Sequence, residues 1–331
     1  MIKLPFQINP ALKTYQLKAF ELGIIEANEE SVRPWLFNRY INQLYMVKDR
    51  RFTYTNYDRW HAKENVTRCQ KLCVDVNQII NSNSGLNIIG LICEMLKNGN
   101  YVYGKYNEFY IPGKAQFQKK YFSHDFILFG FDCDKQVFYS AGYLSDGYYQ
   151  QFLIPMDSFV QSISSLKDHQ LNFHFIKYKN GIVNKIDLKM IYEDLFDFLH
   201  SINRRSIVNK DKVFGVDCET VFVNYLDSLR NCSTHSPVDV RHSKLFLELK
   251  KLMYERLLYL STNSIIDEDI AQKYRDVCTM QEIVHMLCLK FNVNHDKDIL
   301  TRIQTTQLDI IKMQKELLNQ CLKCMAHYGT A

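Results

Sequence analysis

The chain has 331 residues, of which 47% are apolar, enough to bury one large core or two moderate ones and too many for a disordered protein. Its 41 basic and 36 acidic residues leave a net charge of +5, which favours an acidic partner and is not typical of a nucleic-acid-binding protein. No stretch reaches the roughly 18 apolar residues of a membrane span, and the first residues lack the apolar run of a signal peptide. We therefore expect a cytoplasmic protein with neither a nucleic acid nor a membrane as partner.

Motifs for metal, nucleotide and serine chemistry are missing from the sequence. The ten cysteines are scattered, as expected for reduced core residues. Cys321 and Cys324 have metal-ligand spacing, but no second pair completes four ligands, so we expect no metal site. The chain also lacks a glycine-rich phosphate loop, an H-E-x-x-H helix and a G-x-S-x-G turn.

The first candidate site lies near the start of the chain. Residues 22–25 (L-G-I-I) read as a short strand, followed by a helix that opens at 28–31 (N-E-E-S). That helix carries Trp35, Leu36, Tyr40 and Leu44 at helical spacing. Ala27 then falls at a strand-to-helix joint, where many enzymes place a nucleophile because the first helical amides are unpaired and the helix dipole favours negative charge.

The middle of the chain predicts a sheet. Residues 87–96 have a helical stripe that ends at 98–99 (N-G), and residues 101–111 then alternate as a strand. Two further strands, 124–131 and 136–143, flank a short polar turn. They predict a β-hairpin in a buried antiparallel sheet.

From about residue 187 the periodicity is almost entirely helical. The predicted helices are 188–203, 217–229, 240–260, 267–291 and 297–325. The sequence therefore predicts an α+β fold in two domains, 1–180 with helices and a sheet and 181–331 as a helical layer or bundle.

One set of residues matches part of a known catalytic arrangement. A cysteine at a helix start, a histidine at the head of a strand and an Asp or Asn on the next strand form the papain-like arrangement, in which the histidine moves the proton and the third residue orients the imidazole. His124 heads a predicted strand, and Ala27 lies at the predicted helix start. The spacing suits this arrangement, but the nucleophile is missing.

Several motifs resemble a known family. They are P-W-L-F-N-R-Y-I, N-I-I-G-L-I-C-E-M-L-K, N-E-F-Y-I-P, Y-F-S-H-D-F-I-L-F-G-F-D and Q-V-F-Y-S-A-G-Y, in order within roughly residues 10 to 165. This part of the chain resembles the cysteine-protease-related proteins of peptide-antibiotic gene clusters, which are similar to the N-terminal domain of the butirosin acyltransferase. The resemblance implies a papain-like cysteine-protease fold for residues 1–180. Members that act chemically transfer an acyl chain from a carrier-protein thioester to an amine.

The resemblance assigns a role to some residues of the site and leaves the orienting residue open. His124 falls on the family's catalytic histidine, and Ala27 falls on the nucleophile position, where an active member carries Cys. Where the family's hairpin often ends in Ala-Asp, this chain has Ala-Gly at 141–142. Asp146 or Asp132 then replaces the orienting acid, or the site works as a Cys-His dyad; our prediction for the third member is Asp146.

Other interpretations of these residues stay open. Ala27 has three interpretations. It replaces a cysteine, it is the natural residue of a protein that binds without reacting, or it is an ordinary helix-forming residue in a loop with no role in a site. His124 is either the catalytic base or a structural histidine satisfied by a backbone carbonyl. Glu108 and Tyr110, in the N-E-F-Y-I-P motif, are predicted to face the cleft as substrate-binding residues.

The implied function is amide formation in nonribosomal peptide-type antibiotic biosynthesis. A cysteine at position 27 would take the acyl chain from the phosphopantetheine arm of an acyl or peptidyl carrier protein, and an amine would then discharge this acyl-enzyme. The reaction runs downhill from thioester to amide, so no cofactor of its own is expected. A cysteine hydrolase, either protease or thioesterase, and a non-catalytic carrier-protein-binding module remain as alternatives. The papain-like arrangement requires the Cβ of Ala27 to lie within roughly 4 to 7 Å of a nitrogen of the His124 imidazole.

Overall fold

A computed structural model of the chain describes residues 1–29, 32–54, 69–75, 88–166, 172–179, 184–205, 210–231 and 236–329. The protein is α+β, with antiparallel sheets and a C-terminal helical region, as the sequence predicts. It divides into two compact units: unit 1 comprises residues 1–30 and 58–183, and unit 2 comprises residues 31–57 and 184–331. Residues 31–57, which the sequence analysis placed in the first domain, thus belong to the unit that contains the C-terminal helices.

The described elements are a mixture of strands and helices up to about residue 178 and are almost all helical after it. The strands are β1 (Ile2–Lys3), β2 (Gln43–Met46), β3 (Arg51–Tyr54), β4 (Cys69–Asp75), β5 (Asn100–Asn107), β6 (Ser123–Asp132), β7 (Val137–Tyr143), β8 (Tyr149–Pro155), β9 (Asn172–Tyr178) and β10 (Lys212–Phe214). The helices are α1 (Gln16–Asn28), α2 (Arg33–Phe37), α3 (Ile88–Lys97), α4 (Met156–Ser164), α5 (Leu188–Leu199), α6 (Asp217–Asn231), α7 (Val240–Thr262), α8 (Glu268–Asn294), α9 (Lys297–Cys324) and α10 (Ala326–Gly329). In the described part of the chain, none of these helices combines the length and apolar character needed to cross a membrane.

Unit 1 is built on one antiparallel sheet with the strand order β4-β9-β5-β6-β7-β8, and β1 adds to β6. Alternate residues of β6 face opposite sides of this sheet. Ile127 and Phe129 pack with Phe20 and Ile24 of α1, whereas Phe126 and Leu128 belong to the cluster that contains the buried residues of α3 and α4. The sheet therefore separates α1 on one face from α3 and α4 on the other.

The central strands and α3 confirm the sequence analysis. The predicted hairpin is the antiparallel pair β6–β7, and the predicted helix at 87–96 is α3. Gly99 follows α3 with a φ of 78°, a conformation that suits glycine after a helix. The strand predicted for 101–111 is β5, which ends earlier because residues 108–110 form a 3₁₀ turn.

The prediction for residues 22–44 is wrong. Residues 22–25 are helical, since α1 spans Gln16–Asn28, and Ala27 is its penultimate residue. The run looked like a strand because residues 19–25 are all buried, which hides the polar half of the helical period. Gly23 belongs to a close helix contact: a Cβ there would lie 2.4 Å from the Phe6 ring.

The helix predicted to begin after Ala27 is also absent from its expected place. Only five residues, Arg33–Phe37, form a helix (α2). Tyr40 lies beyond its end with a φ of 54°, and Leu44 lies in β2. The apolar residues at helical spacing are thus distributed over a short helix, a turn and a strand.

Unit 2 contains the small sheet β10-β2-β3, the short helix α2 and the helices α5 to α10. The helices α5 to α9 agree with the predicted ones to within a few residues. A buried polar network joins α6, α7, α8 and α9. Its members are Glu219, Lys250, Gln281, Gln307 and Gln314, each at most 3% exposed.

Every charge in this network has a partner. The Lys250 amine lies 2.5 Å from Glu219 Oε1 and also donates to the side chain of Gln314. The other oxygen, Glu219 Oε2, accepts hydrogen bonds of 2.9 Å from Gln307 and from Gln314. Because a buried charge is costly unless it is paired, removing one partner leaves the other uncompensated.

We expect Lys250→Met to lower the free energy of unfolding by about 3–5 kcal/mol, since Glu219 would keep a buried charge without its cation. The double variant Glu219→Gln, Lys250→Met removes both charges and should lose less stability than Lys250→Met alone. Urea unfolding of the wild type, Lys250→Met and the double variant measures these differences. A loss below about 1 kcal/mol for Lys250→Met would show that Glu219 does not depend on this lysine.

Candidate functional site

His124 is the second residue of β6 and pairs with Tyr106 of the neighbouring strand β5. Strand alternation puts its side chain on the same face as Phe126, whose ring stacks on Tyr106 with centroids 5.5 Å apart. This is the face covered by α3 and α4. His124 is therefore on the opposite face of the sheet from α1.

The partner of His124 is Glu108. The two side chains are hydrogen-bonded, with His124 Nδ1 2.7 Å from Glu108 Oε1. The Glu108 side chain is buried, whereas that of His124 is 33% exposed. A carboxylate on Nδ1 fixes the ring orientation and leaves Nε2 as the nitrogen that exchanges protons.

Local hydrogen bonds fix the position of Glu108. It begins the 3₁₀ turn directly after β5, and its amide donates to the carbonyl of Phe122 at 2.9 Å. The Asn107 side-chain oxygen accepts from the amides of Phe109 and Phe122, each at 3.1 Å, and its Nδ2 donates to Ser165 Oγ at 2.9 Å. The carboxylate is thus held before any substrate arrives.

The residues predicted to orient His124 are engaged elsewhere. Asp146 is exposed in the β7–β8 turn, where it accepts from the Tyr148 amide at 2.9 Å and from the Gln150 side chain at 2.8 Å. Asp132 ends β6, about 26 Å along the strand from His124 at roughly 3.3 Å per residue, and caps the following turn. Glu108, predicted to bind substrate, holds the orienting position instead.

Tyr110, the other predicted substrate-binding residue, is the last residue of the turn that Glu108 begins. It is half-buried, and its ring lies 5.0 Å from that of Phe109. The structure thus brings Glu108 and His124 together, places Tyr110 in the same turn as Glu108, and leaves Asp146 outside this group.

Ala27 lies at the wrong end of α1 to serve as the nucleophile position. Gln16, at the start of α1, donates to the carbonyl of Asp125 at 2.7 Å, whereas Asn28, at its end, donates to the hydroxyl of Tyr101 at 2.9 Å. Eleven residues separate Gln16 from Ala27, about 16 Å at roughly 1.5 Å each. The negative end of the helix dipole would also oppose a thiolate at this position.

Two further side chains lie at the His124 end of the sheet. Lys114 is buried, and its amine donates to the carbonyl of Tyr143 at 2.8 Å and lies 4.7 Å from the centre of the Phe152 ring. Gln16 Oε1 accepts from the Tyr143 amide at 3.2 Å. Both occupy the space beside Gly142, because a Cβ there would lie 2.8 Å from Gln16 Oε1 and 2.9 Å from Lys114 Nζ.

The environment of Lys114 favours a neutral amine. Burial lowers the pKa of Lys114 from 10.5 to about 8, and the charge of Glu108 acts in the opposite direction. The end of β7 thus carries a glycine with a buried lysine amine beside it. Neither Lys114 nor Gln16 was singled out from the sequence, because no motif marks a lysine after a Pro-Gly turn or a glutamine at a helix start.

Within the residues that the structure describes, no group of three or more His, Cys, Asp and Glu side chains is placed to hold a metal ion. Three side-chain groups lie at the head of β6: the oriented imidazole of His124, the buried carboxylate of Glu108 and the buried amine of Lys114, whose pKa is lowered.

Comparison with known proteins gives no family assignment. None of the protein-family models matches the chain, and no curated protein is significantly similar to it. A function is therefore inferred from the side chains of unit 1.

Burial of Lys114 should make stability depend on pH. The unfolded chain binds its proton up to pH 10.5 and the folded chain only up to about 8, so stability rises as pH rises between these values. Below pH 8 the protonated amine costs up to about 3 kcal/mol. Allowing about 1 kcal/mol for the lost hydrogen bond to Tyr143, we expect Lys114→Met to raise the free energy of unfolding at pH 7 by about 2 kcal/mol.

Urea unfolding of wild type and Lys114→Met at pH 7 and at about pH 9.5 measures this effect, since the difference between the two proteins should shrink at the higher pH. Lys135→Met, which changes an exposed lysine in the β6–β7 turn, is the matched control. A Lys114→Met protein that is less stable than wild type at pH 7 would contradict the account.

Proposed function

We propose that unit 1 is an acyltransferase that forms an amide by transferring an acyl chain from a carrier-protein thioester to an amine, in nonribosomal peptide-type antibiotic biosynthesis. The observation that carries the proposal is the hydrogen-bonded pair of His124 and Glu108 at the head of β6. An imidazole oriented by a buried carboxylate and exposed to solvent on one side is suited to a general base.

The proposal treats unit 1 as a relative of papain-like proteins in which the nucleophile has been lost. Gln16 connects the first residue of α1 to the peptide next to His124, so a helix start lies beside the strand that carries the base, although the His124 side chain faces the other side of the sheet. The residues there are Thr14, Tyr15 and Gln16, and none supplies a thiol. We therefore replace the cysteine acyl-enzyme by direct transfer from thioester to amine.

In the proposed reaction the amine nitrogen attacks the thioester carbonyl while His124 Nε2 takes a proton from it. Glu108 stabilises the imidazolium through Nδ1. The tetrahedral intermediate then breaks its C–S bond, and the imidazolium returns the proton to the leaving thiol of the phosphopantetheine arm. The sum is thioester plus amine giving amide plus thiol, a downhill exchange that uses no nucleotide.

The site also has an apolar neighbour. The ring of Phe122 lies 5.3 Å from that of His124, and Phe122 is 42% exposed. An exposed aromatic ring beside the base gives an acyl chain a surface that excludes water, which a transferase needs because water competes with the amine.

A second candidate is a non-catalytic carrier-protein-binding module. The missing thiol at the helix start favours it, because a protein that only binds needs no nucleophile. Both candidates share the acidic partner, and they differ in whether His124 is needed for binding or for turnover.

Transfer should depend on His124 and Glu108. With an acylated carrier protein and an amine, we expect His124→Ala to lower the rate of amide formation by about 10² to 10⁴ and Glu108→Gln by roughly 10-fold to 100-fold. Mass spectrometry of the product measures the rate. His200→Ala in unit 2 and Asp146→Asn are matched controls and should act like wild type, since both residues are exposed and outside the pair.

Each alternative has its own result. Release of free acid whatever the amine would indicate a hydrolase. Carrier binding with no product in any combination would indicate the binding module, and equal losses in His124→Ala and His200→Ala would contradict a role for the pair.

Exposed lysines around His124 should guide the carrier protein to the site. Lys119 and Lys120 precede His124 in the chain, and Lys105 on β5 is the strand partner of Asp125 on β6. All three lysines are exposed. We expect Lys120→Glu to weaken binding of an acidic carrier protein by roughly 3-fold to 10-fold at low salt, and the difference to shrink as salt screens the charges.

Lys135→Glu makes the same charge change at the other end of the β6–β7 hairpin and should leave binding almost unchanged. Titration calorimetry at two salt concentrations measures both variants. Equal effects of the two substitutions would show that net charge, not this surface, attracts the partner.

A further inference from the structure

The outer face of α8 carries a row of exposed apolar side chains in its second half. The four residues are Ile283, Met286, Leu289 and Val293, and their side chains are between 40% and 83% exposed. Their spacings of three, three and four residues put them on one side of the helix, over about 15 Å at roughly 1.5 Å per residue. We call these four residues the α8 apolar row.

The core of unit 2 is built from the other side of this helix. α8 packs against α7 and α9, and Val284, Leu287 and Phe291 are buried there. In the first half of α8 the exposed positions carry polar side chains such as Glu268 and Asp276. A surface helix is normally polar on its outer face, and a contiguous exposed apolar patch is typical of an interaction site.

Two opposite charges lie on the same side of α8 and are placed symmetrically about Met286. Glu282 and Lys290 are both exposed, four residues before and four residues after it. Glu282 Oε1 also lies 2.6 Å from the amine of Lys251 on α7, and the second carboxylate oxygen can accept from a further cation. The apolar row is thus accompanied by one anion towards its start and one cation towards its end.

This charge pattern selects a second copy of the same helix in the antiparallel direction. When two α8 helices are centred on Met286, Glu282 of one copy lies level with Lys290 of the other, and Ile283 lies level with Leu289. A parallel pair would instead bring Glu282 level with Glu282 and Lys290 level with Lys290. Like charges at these positions would oppose the contact, so the charges fit the antiparallel pair alone.

We propose that the α8 apolar row is the interface of a homodimer in which two α8 helices pack antiparallel about a twofold axis at Met286. Such an isologous interface uses the same surface of both copies and closes at two subunits. Its apolar centre with charged groups beside it is the usual arrangement of a protein–protein interface.

The size of the row sets the strength of the contact. An obligate homodimer buries more than about 2,000 Å² in total, which four side chains on each copy do not provide. We therefore expect a weak dimer that forms as the protein concentration rises and dissociates on dilution.

This interface is independent of the proposed acyl transfer. It lies wholly on α8 of unit 2 and includes neither His124 nor Glu108, which are in unit 1. Failure of the acyl-transfer proposal would leave the interface standing, and the reverse also holds.

Sedimentation velocity of the full chain between about 10 μM and about 1 mM tests the interface. We expect the mean mass of wild type to rise from 39.2 kDa towards twice that value. Met286→Glu places two like charges at the twofold axis and should raise the dissociation constant at least about 10-fold. Leu308→Glu, which changes an exposed leucine of α9 outside the row, is the matched control and should dimerise like wild type.

Charge reversal tests the direction of the pair. Glu282→Lys and Lys290→Glu should each raise the dissociation constant by roughly 3-fold to 10-fold, since each places like charges across the interface. The double variant Glu282→Lys, Lys290→Glu restores opposite charges and should recover most of this loss.

Cross-linking locates the twofold axis. Met286→Cys should give a disulfide-linked dimer under mild oxidation with copper phenanthroline, because this position faces itself. Val293→Cys should not, since in the antiparallel pair it lies level with Thr279. Wild type, with exposed Cys73 and Cys133, shows the background, and mass spectrometry identifies the linked peptides.

Four results would overturn the proposal. They are wild type that stays monomeric up to about 1 mM, equal effects of Met286→Glu and Leu308→Glu, a cross-link in Val293→Cys but not in Met286→Cys, and assemblies that grow beyond two subunits. The first would leave the row for a different protein, and the last would indicate a head-to-tail contact.

Discussion

Antiparallel pairing of β5 with β6 decides what His124 can contact. The register sets Tyr106 opposite His124, and β5 ends at Asn107, so the next residue, Glu108, comes within reach of the imidazole. The same register directs Asp125 to the other face, where it accepts a hydrogen bond of 2.8 Å from Tyr103. Because side chains alternate along a strand, a shift of one residue would exchange these two roles.

Three buried charged groups, Glu108 and Lys114 in unit 1 and Glu219 in unit 2, have polar or aromatic partners. In unit 1, Glu108 pairs with His124, and the Lys114 amine has a carbonyl and an aromatic ring as neighbours. Burial lowers the pKa of Lys114, and the charge of Glu108 compensates this effect only in part. In unit 2 the network around Glu219 is complete, which favours a structural role for it. The burial of Lys114 is compensated only in part, and this distinguishes the candidate site from the structural network around Glu219.

Regular periodicity predicted much of the fold. The alternation in β6 and β7, the stripe of α3 and the long helices of unit 2 were all recognised, because each exposes a polar half that reveals its period. The prediction was wrong at residues 22–25, where burial on all sides removed the period and made a helix look like a strand. From that error followed the placement of Ala27 at a helix start.

The site was predicted in part. His124 and Glu108 were both named, but their contact depends on where β5 ends and on the turn that follows, which no spacing rule gives. Its distance along the chain favours Asp146 as the orienting acid, yet the β7–β8 turn uses this side chain for its own hydrogen bonds. Lys114 gains its unusual environment only from tertiary packing beside Gly142.

The central claim is that Glu108 orients His124 through Nδ1, and nuclear magnetic resonance of ¹⁵N-histidine-labelled protein tests it most directly. A proton held between a histidine Nδ1 and a carboxylate resonates at low field and exchanges slowly with water. The account predicts such a signal in wild type and in Asp146→Asn and its loss in Glu108→Gln and in His124→Ala. A low-field signal that survives Glu108→Gln and disappears in Asp146→Asn would contradict the account and restore Asp146 as the orienting acid.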